Sequence, residues 1–143
     1  SGPAAEARPV ARRAWATLAA AVAAELVLGI AALVMVPAGR PSGLVPRRGV
    51  VVYDLHAAIG GALVVGAAWL AARARRSPRV ERIAAVVGLV SVMVAAGGGM
   101  LAASHPERLL GIALMFAGSV VAGLAYLAGA LERTPAVGAG SAT

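Results

Sequence analysis

Two ionisable side chains lie inside long apolar stretches of this sequence, where a charged group is costly. Glu25 lies in the middle of the apolar run 14–36, about 16 Å from either end by helical rise. His56 lies in the run 50–72, roughly 9 Å from its beginning. An ionisable residue in such a run is by default a candidate for function, for example as a proton or substrate site. For Glu25, the alternative is a neutral carboxyl group that only hydrogen-bonds to a neighbouring helix.

The surroundings of His56 suit a flat cofactor or a metal ion. Tyr53 precedes it by three residues and Gly60 follows by four, so helical geometry places all three on one face. Asp54 is rotated away from that face and is expected at the membrane interface, beside basic residues. Imidazole is a good ligand for haem iron, zinc or copper, and the glycine would let a cofactor approach the backbone. The alternative is a buried histidine that hydrogen-bonds to another helix.

His105 is the only other histidine in the chain. The predicted topology places it on the same side of the bundle as His56, so the two together are candidate ligands of one haem b or metal ion. Arg40, Arg47 and Arg48 lie on that side too and could pair with haem propionates. However, His105 lies in a helix-capping turn, at a shallower depth than His56, which weakens the hypothesis of shared ligation.

The composition indicates which elements hold these residues. The chain has 143 residues, of which 60% are hydrophobic and only 13% charged, with a mean hydropathy of +0.85. A soluble domain is less apolar and carries about a quarter charged residues, so lipid must cover the excess. The sequence predicts an all-α, up-down-up-down bundle of four transmembrane helices, between a basic tail at 1–13 and a flexible tail at 134–143. The predicted spans are 14–36, 50–72, 80–103 and 105–131.

All 13 basic residues are arginines, and their distribution predicts the orientation. Nine lie in the N-terminal tail, the turn at 73–82 and the C-terminal tail, and four lie in the other two connections. The positive-inside rule then predicts a multi-pass protein of the cell membrane with both termini in the cytoplasm. Because these arginines lie between apolar runs, we expect topology rather than nucleic acid to explain the pI of about 11.7.

The aromatic residues and the small residues add two structural predictions. Trp15, Trp69 and Tyr126 fall near the predicted cytoplasmic ends and Tyr53 near the outer end, which indicates an interfacial aromatic belt. Stripes of small residues on spans one, three and four predict close helix contacts. Their members are Ala21, Glu25, Gly29 and Ala32; Ser91, Ala95, Gly99 and Ala102; and Gly111, Gly118, Ala122, Ala125 and Gly129.

Two local resemblances point to different chemistry. The segment Asp54-Leu-His56-Ala-Ala-Ile-Gly60 resembles the small membrane subunits of b-type cytochromes, in which a histidine with a nearby glycine holds haem. This resemblance covers seven residues and implies a haem at His56.

Ala24-Glu25 is similar to the small multidrug-resistance transporters, which keep one membrane glutamate in the first of four helices. Gly88, Gly111 and Gly118 also have spacings like theirs. This resemblance implies that Glu25 binds protons and a cationic substrate within a homodimer.

Several classes of protein are excluded or disfavoured by what the sequence lacks. The absence of cysteine excludes disulfides, iron–sulfur clusters and thiolate metal sites. There is no phosphate-binding loop, no HExxH and no G-x-S-x-G, so a soluble-type enzyme is not expected and no catalytic residue is assigned. Three hypotheses remain: a haem- or metal-binding electron-transfer bundle that uses His56, a small proton-coupled transporter that uses Glu25, and a non-catalytic subunit or scaffold of a larger membrane complex.

Overall fold

A computed structural model of the protein describes residues 12–35, 47–104 and 108–132. These residues form four helices: α1 (Arg12–Met35), α2 (Arg47–Ala74), α3 (Arg79–Ser104) and α4 (Arg108–Leu131). Each helix is long and apolar enough to cross a membrane, and the described residues include no strand. The predicted all-α, four-helix transmembrane architecture is therefore confirmed.

The helix ends differ from the predicted spans by a few residues. The largest difference among the described residues is at α2, which begins at Arg47 rather than at residue 50. His56 consequently lies nine residues into its helix, about 14 Å from the first residue. Counted from Gly49, where the apolar span begins, His56 lies seven residues in, about 10 Å, which is close to the depth that the sequence predicted.

The helices pack in sequence order around the bundle. Each helix contacts the next one in the chain, and α1 contacts α4 to close the ring. We call the end at which α1 and α3 finish and α2 and α4 begin the Met35 end, and the opposite end the Arg12 end. Large apolar side chains cover the outer surface, with Val34 79% and Leu109 84% exposed. Such a surface is suited to contact with the lipid bilayer.

Glycines bring α3 and α4 into close contact. A Cβ at Gly98 would lie 2.6 Å from the backbone nitrogen of Met115, and one at Gly118 would lie 2.6 Å from the carbonyl oxygen of Ser91. A Cβ at Gly111 would lie 2.5 Å from the backbone nitrogen of Ala102. The predicted stripes on α3 and α4 therefore make the expected contact, since Gly111 and Gly118 lie against Ala102 and Ser91. Gly98, which was not in the predicted stripe, approaches α4 as closely.

The aromatic residues at the Arg12 end correct the predicted belt. Trp15 and Tyr126 are completely buried, and their ring centroids are 6.2 Å apart at an interplanar angle of 57°. They fill the core between α1 and α4 instead of facing lipid headgroups, because Gly88 and Gly129 leave room for the two rings. Trp69 is exposed, as the belt requires, and its ring lies 5.0 Å from the guanidinium carbon of Arg73.

Candidate functional site

The structure brings together the two ionisable residues that the sequence singled out separately. Nδ1 of His56 on α2 lies 2.8 Å from Oε1 of Glu25 on α1. The two side chains are 19% and 10% exposed, respectively. Because α1 and α2 are antiparallel, Glu25, ten residues before Met35, lies at the same depth as His56, nine residues after Arg47. Both are about 14–15 Å from the Met35 end by helical rise.

The contact between the two side chains is short but is not an aligned hydrogen bond. Its 2.8 Å distance is that of a hydrogen bond, but His56 Nδ1 does not meet the angular requirement for one. The second carboxylate oxygen, Oε2 of Glu25, is buried and has no hydrogen-bond partner among the described residues. Glu25 thus has one oxygen in contact with the imidazole and one available to a further proton donor.

Two glycines make room for the pair in a reciprocal way. Gly29 follows Glu25 by one turn on α1, and a Cβ there would lie 3.1 Å from Cε1 of His56. Gly60 follows His56 by one turn on α2, and a Cβ there would lie 3.0 Å from Oε1 of Glu25. Each ionisable side chain therefore packs over the glycine that follows its partner. A side chain at either glycine would press on the end of the partner's side chain.

A small cleft between α1 and α4 adjoins the pair. Its cavity volume is about 20 Å³, which is enough for a water molecule. Apart from Glu25 and His56, its lining is apolar except for Ser119, whose hydroxyl donates a 2.8 Å hydrogen bond to the carbonyl oxygen of Met115. Among the described residues, Glu25 and His56 are the only ionisable ones that line the cleft.

The other residues that the sequence predicted for the site lie in different places. Gly60 belongs to the site, where it packs against the carboxylate of Glu25. Its predicted role was to let a cofactor approach the backbone. Tyr53 and Asp54 are exposed on α2. Arg47 and Arg48 form the first turn of α2, but their side chains lie outside the described part of the structure, as do Arg40 and His105. Shared ligation by His56 and His105, with arginines at the propionates, therefore stays a prediction.

Of the two histidines predicted as ligands, His56 is the one that the described part of the structure places at this site. In many metal sites a carboxylate accepts a hydrogen bond from one ring nitrogen of a histidine and orients the other toward the metal; here the carboxylate lies beside Nδ1, but the angle is not that of a hydrogen bond. The cleft has a volume of about 20 Å³ and does not by itself enclose a group as large as a haem. No group of three or more His, Cys, Asp or Glu side chains within the described residues could hold a metal ion.

The pairing of Glu25 with His56 was missed at the level of the sequence, although a signal for it was present. The two residues are nearly equidistant from the connection between their helices, so an antiparallel hairpin places them at one depth. Met115 and Ser119 were also missed. Ser119 had a signal, as a polar residue in the middle of an apolar run, whereas Met115 had none.

The function of this site has to be inferred from its own geometry. Comparisons with protein-family models, curated proteins and solved structures found no match to the chain. The fold and the site define a small integral membrane protein with a buried Glu–His pair, and any more specific function is argued from the residues of that pair and their surroundings.

Proposed function

We propose that the Glu25–His56 pair is a proton-binding site and that the protein is a small proton-coupled transporter. The observation that carries this proposal is the 2.8 Å contact between the two ionisable groups inside an apolar bundle. Ionisable groups at this depth are costly, and in membrane proteins they mark ion and proton pathways.

Protonation of the pair is coupled to cation binding because the imidazole and a bound cation would both lie against the carboxylate of Glu25. With a single proton between Glu25 and His56, an imidazolium and a carboxylate compensate each other's charge. Adding or removing a proton leaves an uncompensated charge in an apolar surrounding, which is strongly unfavourable without another partner. A cation at Oε2 of Glu25 would supply such a partner, so that a proton and a cation compete for one site. The size of the cleft restricts that cation to a small one.

Infrared difference spectroscopy across a pH titration tests the proton-binding role. We expect a carboxylic acid C=O band from the purified wild-type protein that is lost in Glu25→Gln and has a changed pH dependence in His56→Gln. Asp54→Asn removes an exposed carboxyl group on the same helix as His56, and this control should keep the band. A band that persists unchanged in Glu25→Gln would show that Glu25 does not exchange protons.

A second measurement tests the coupling to a cation. Ammonium chloride added to weakly buffered protein should release protons from the wild type and none from Glu25→Gln, as followed with a pH indicator. Tetramethylammonium, which is too large for the cleft, is the control and should release none. If ammonium also releases none, the pair binds protons without exchanging them for small cations, and the transport proposal loses its support.

A b-type haem or metal-binding electron-transfer protein is the second candidate. The contact of Glu25 with Nδ1 favours it, because this contact leaves Nε2 of His56 as the ligating atom. His105, Gly60 and the arginines Arg47 and Arg48 would complete such a site.

The visible absorption spectrum of protein produced with excess haem tests this candidate. A Soret band lost in His56→Ala supports it, and a colourless protein excludes haem. If neither candidate survives, a non-catalytic subunit of a larger complex is the remaining proposal.

A further inference from the structure

The interior of the bundle is closed between the Glu25–His56 pair and the Arg12 end. The largest fully buried side chains, Trp15, Leu70 and Tyr126, all lie in that half. Immediately next to the pair on the same side, Val22, Leu63 and Ala122 are at most 6% exposed and belong to one apolar cluster. Water from the Arg12 end would have to cross this layer, whose apolar side chains offer it no hydrogen bond.

Toward the Met35 end, α2 is packed less tightly against the other helices. From residue 50 to residue 62, α2 has no buried residue. The cleft also lies toward the Met35 end. On α1, its lining begins at Glu25 and continues toward Met35, and on α4 it begins at Ser119 and continues toward Arg108. Along the bundle axis, the cleft therefore extends from the pair toward the Met35 end, and three of its lining residues, Ile30, Leu33 and Phe116, also reach the outer surface of the bundle.

Polar groups suited to a water molecule meet in this cleft. Oε2 of Glu25 is buried and has no partner among the described residues, so it can accept a hydrogen bond. Ser119 uses its hydroxyl hydrogen on the carbonyl oxygen of Met115, which leaves its own oxygen free to accept a second bond. A water molecule has two hydrogens to donate, and the cleft has the volume for one.

We propose that the cleft binds a water molecule between Glu25 and Ser119 and that protons reach the Glu25–His56 pair through it from the Met35 end only. This inference rests on the proposed proton-binding role. It adds the side of the membrane with which the pair exchanges protons. In each transfer the water donates a proton to Oε2 and takes one from a further water molecule that enters the apolar part of the cleft from the Met35 side.

The accessibility of single cysteines to Ag⁺ tests this path, and the chain suits the method because it contains no cysteine of its own. Ser119→Cys places a thiol in the cleft. Ser91→Cys is the matched control, since Ser91 is equally buried at a similar depth on α3 but does not line the cleft. Ag⁺ is small, soluble in water and reacts with the thiolate, which forms where water is present. Thiols that have not reacted are then labelled with a maleimide after denaturation.

The side of access is measured in cells and in inverted membrane vesicles. Arg76 is exposed in the turn at the Arg12 end. Arg76→Cys therefore reacts in whichever preparation, cells or inverted vesicles, makes the Arg12 end accessible to Ag⁺. We expect Ser119→Cys to react in the opposite preparation, about tenfold or more faster than Ser91→Cys. Equal rates for the two serine positions, no reaction of Ser119→Cys, or its reaction together with Arg76→Cys would each overturn the proposed path.

Two further results separate this path from the proposed function. If Ser119→Cys does not elute as folded protein in size-exclusion chromatography, the Ag⁺ experiment is done with Met115→Cys, which lies on the same wall of the cleft. If cysteines in the cleft react as expected but the infrared band does not depend on Glu25, the cleft admits water and the proton-binding function is wrong. If the band depends on Glu25 but the cysteines do not react, the function stands and the path is wrong.

Discussion

At the scale of single residues, the site depends on two glycines that make room for two ionisable groups. Gly60 lies beneath the carboxylate of Glu25, and its neighbour Gly61 faces open space, where an added Cβ would meet nothing within 4 Å. The two glycines are adjacent in sequence, have the same helical conformation and differ only in what a side chain would meet. They therefore form a matched pair for testing the geometry of the Glu25–His56 contact.

We expect Gly60→Ala to change the proton exchange of the pair with little effect on stability. The added Cβ would lie 3.0 Å from Oε1 of Glu25. Because this oxygen is the end of a flexible side chain, the carboxylate moves rather than the helix, and the contact with His56 is weakened. Infrared titration should show an altered pH dependence of the carboxyl band in Gly60→Ala and an unaltered one in Gly61→Ala. The same titration curve for both variants would contradict the assigned role of Gly60.

At the scale of the helices, the α3–α4 interface is the closest contact and depends on backbone approach. Gly98 lies against the backbone of α4, whereas the preceding Gly97 has nothing within 4 Å. In a membrane, lipid provides no hydrophobic driving force between helices, so close packing of small residues has to supply much of the attraction. A side chain at Gly98 would therefore remove attraction as well as introduce a clash.

We expect Gly98→Ala to destabilise the bundle by about 1–3 kcal/mol, the usual cost of overpacking. The added Cβ would lie 2.6 Å from the backbone nitrogen of Met115, which cannot move without its helix. Gly97→Ala should be neutral or slightly stabilising, since alanine favours the helix. Unfolding in mixed micelles with increasing dodecyl sulfate measures both variants. Equal stability of the two would show that α3 and α4 do not approach each other through Gly98.

At the scale of the whole molecule, the orientation in the membrane decides what the Met35 end faces. The turn between α2 and α3 exposes Arg73, Arg75, Arg76 and Arg79 at the Arg12 end. Positively charged connections are retained in the cytoplasm. The proposed path from the Met35 end would then lead protons to the pair from outside the cell.

Reporter fusions test this orientation. We expect a green fluorescent protein fused after residue 132 to be fluorescent and an alkaline phosphatase fused there to be inactive, because both report a cytoplasmic position. The same reporters fused after Met35 should give the opposite pattern. Replacing Arg73, Arg75, Arg76 and Arg79 by alanine should produce a mixture of orientations, since it removes most of the charge asymmetry. An active phosphatase after residue 132 in the wild type would reverse the direction of the proposed path.

The sequence by itself determined the class of the protein and its helices. Runs of more than 20 apolar residues, separated by proline, glycine and arginine, have few alternatives to membrane-spanning helices, because a backbone in lipid must satisfy its own hydrogen bonds. Glu25 and His56 could be singled out for the same reason, since each is an ionisable group in an apolar run. These predictions need only the order of residues along the chain.

Only the tertiary structure decided which faces of the helices meet. Each helix is apolar around its whole circumference, so no amphipathic pattern distinguishes the side that faces lipid from the side that faces another helix. For this reason the sequence did not reveal that Gly98 approaches the backbone of α4, or that Trp15 and Tyr126 fill the core. For the same reason it could not show that Glu25 and His56, on separate helices, turn toward each other and form one site.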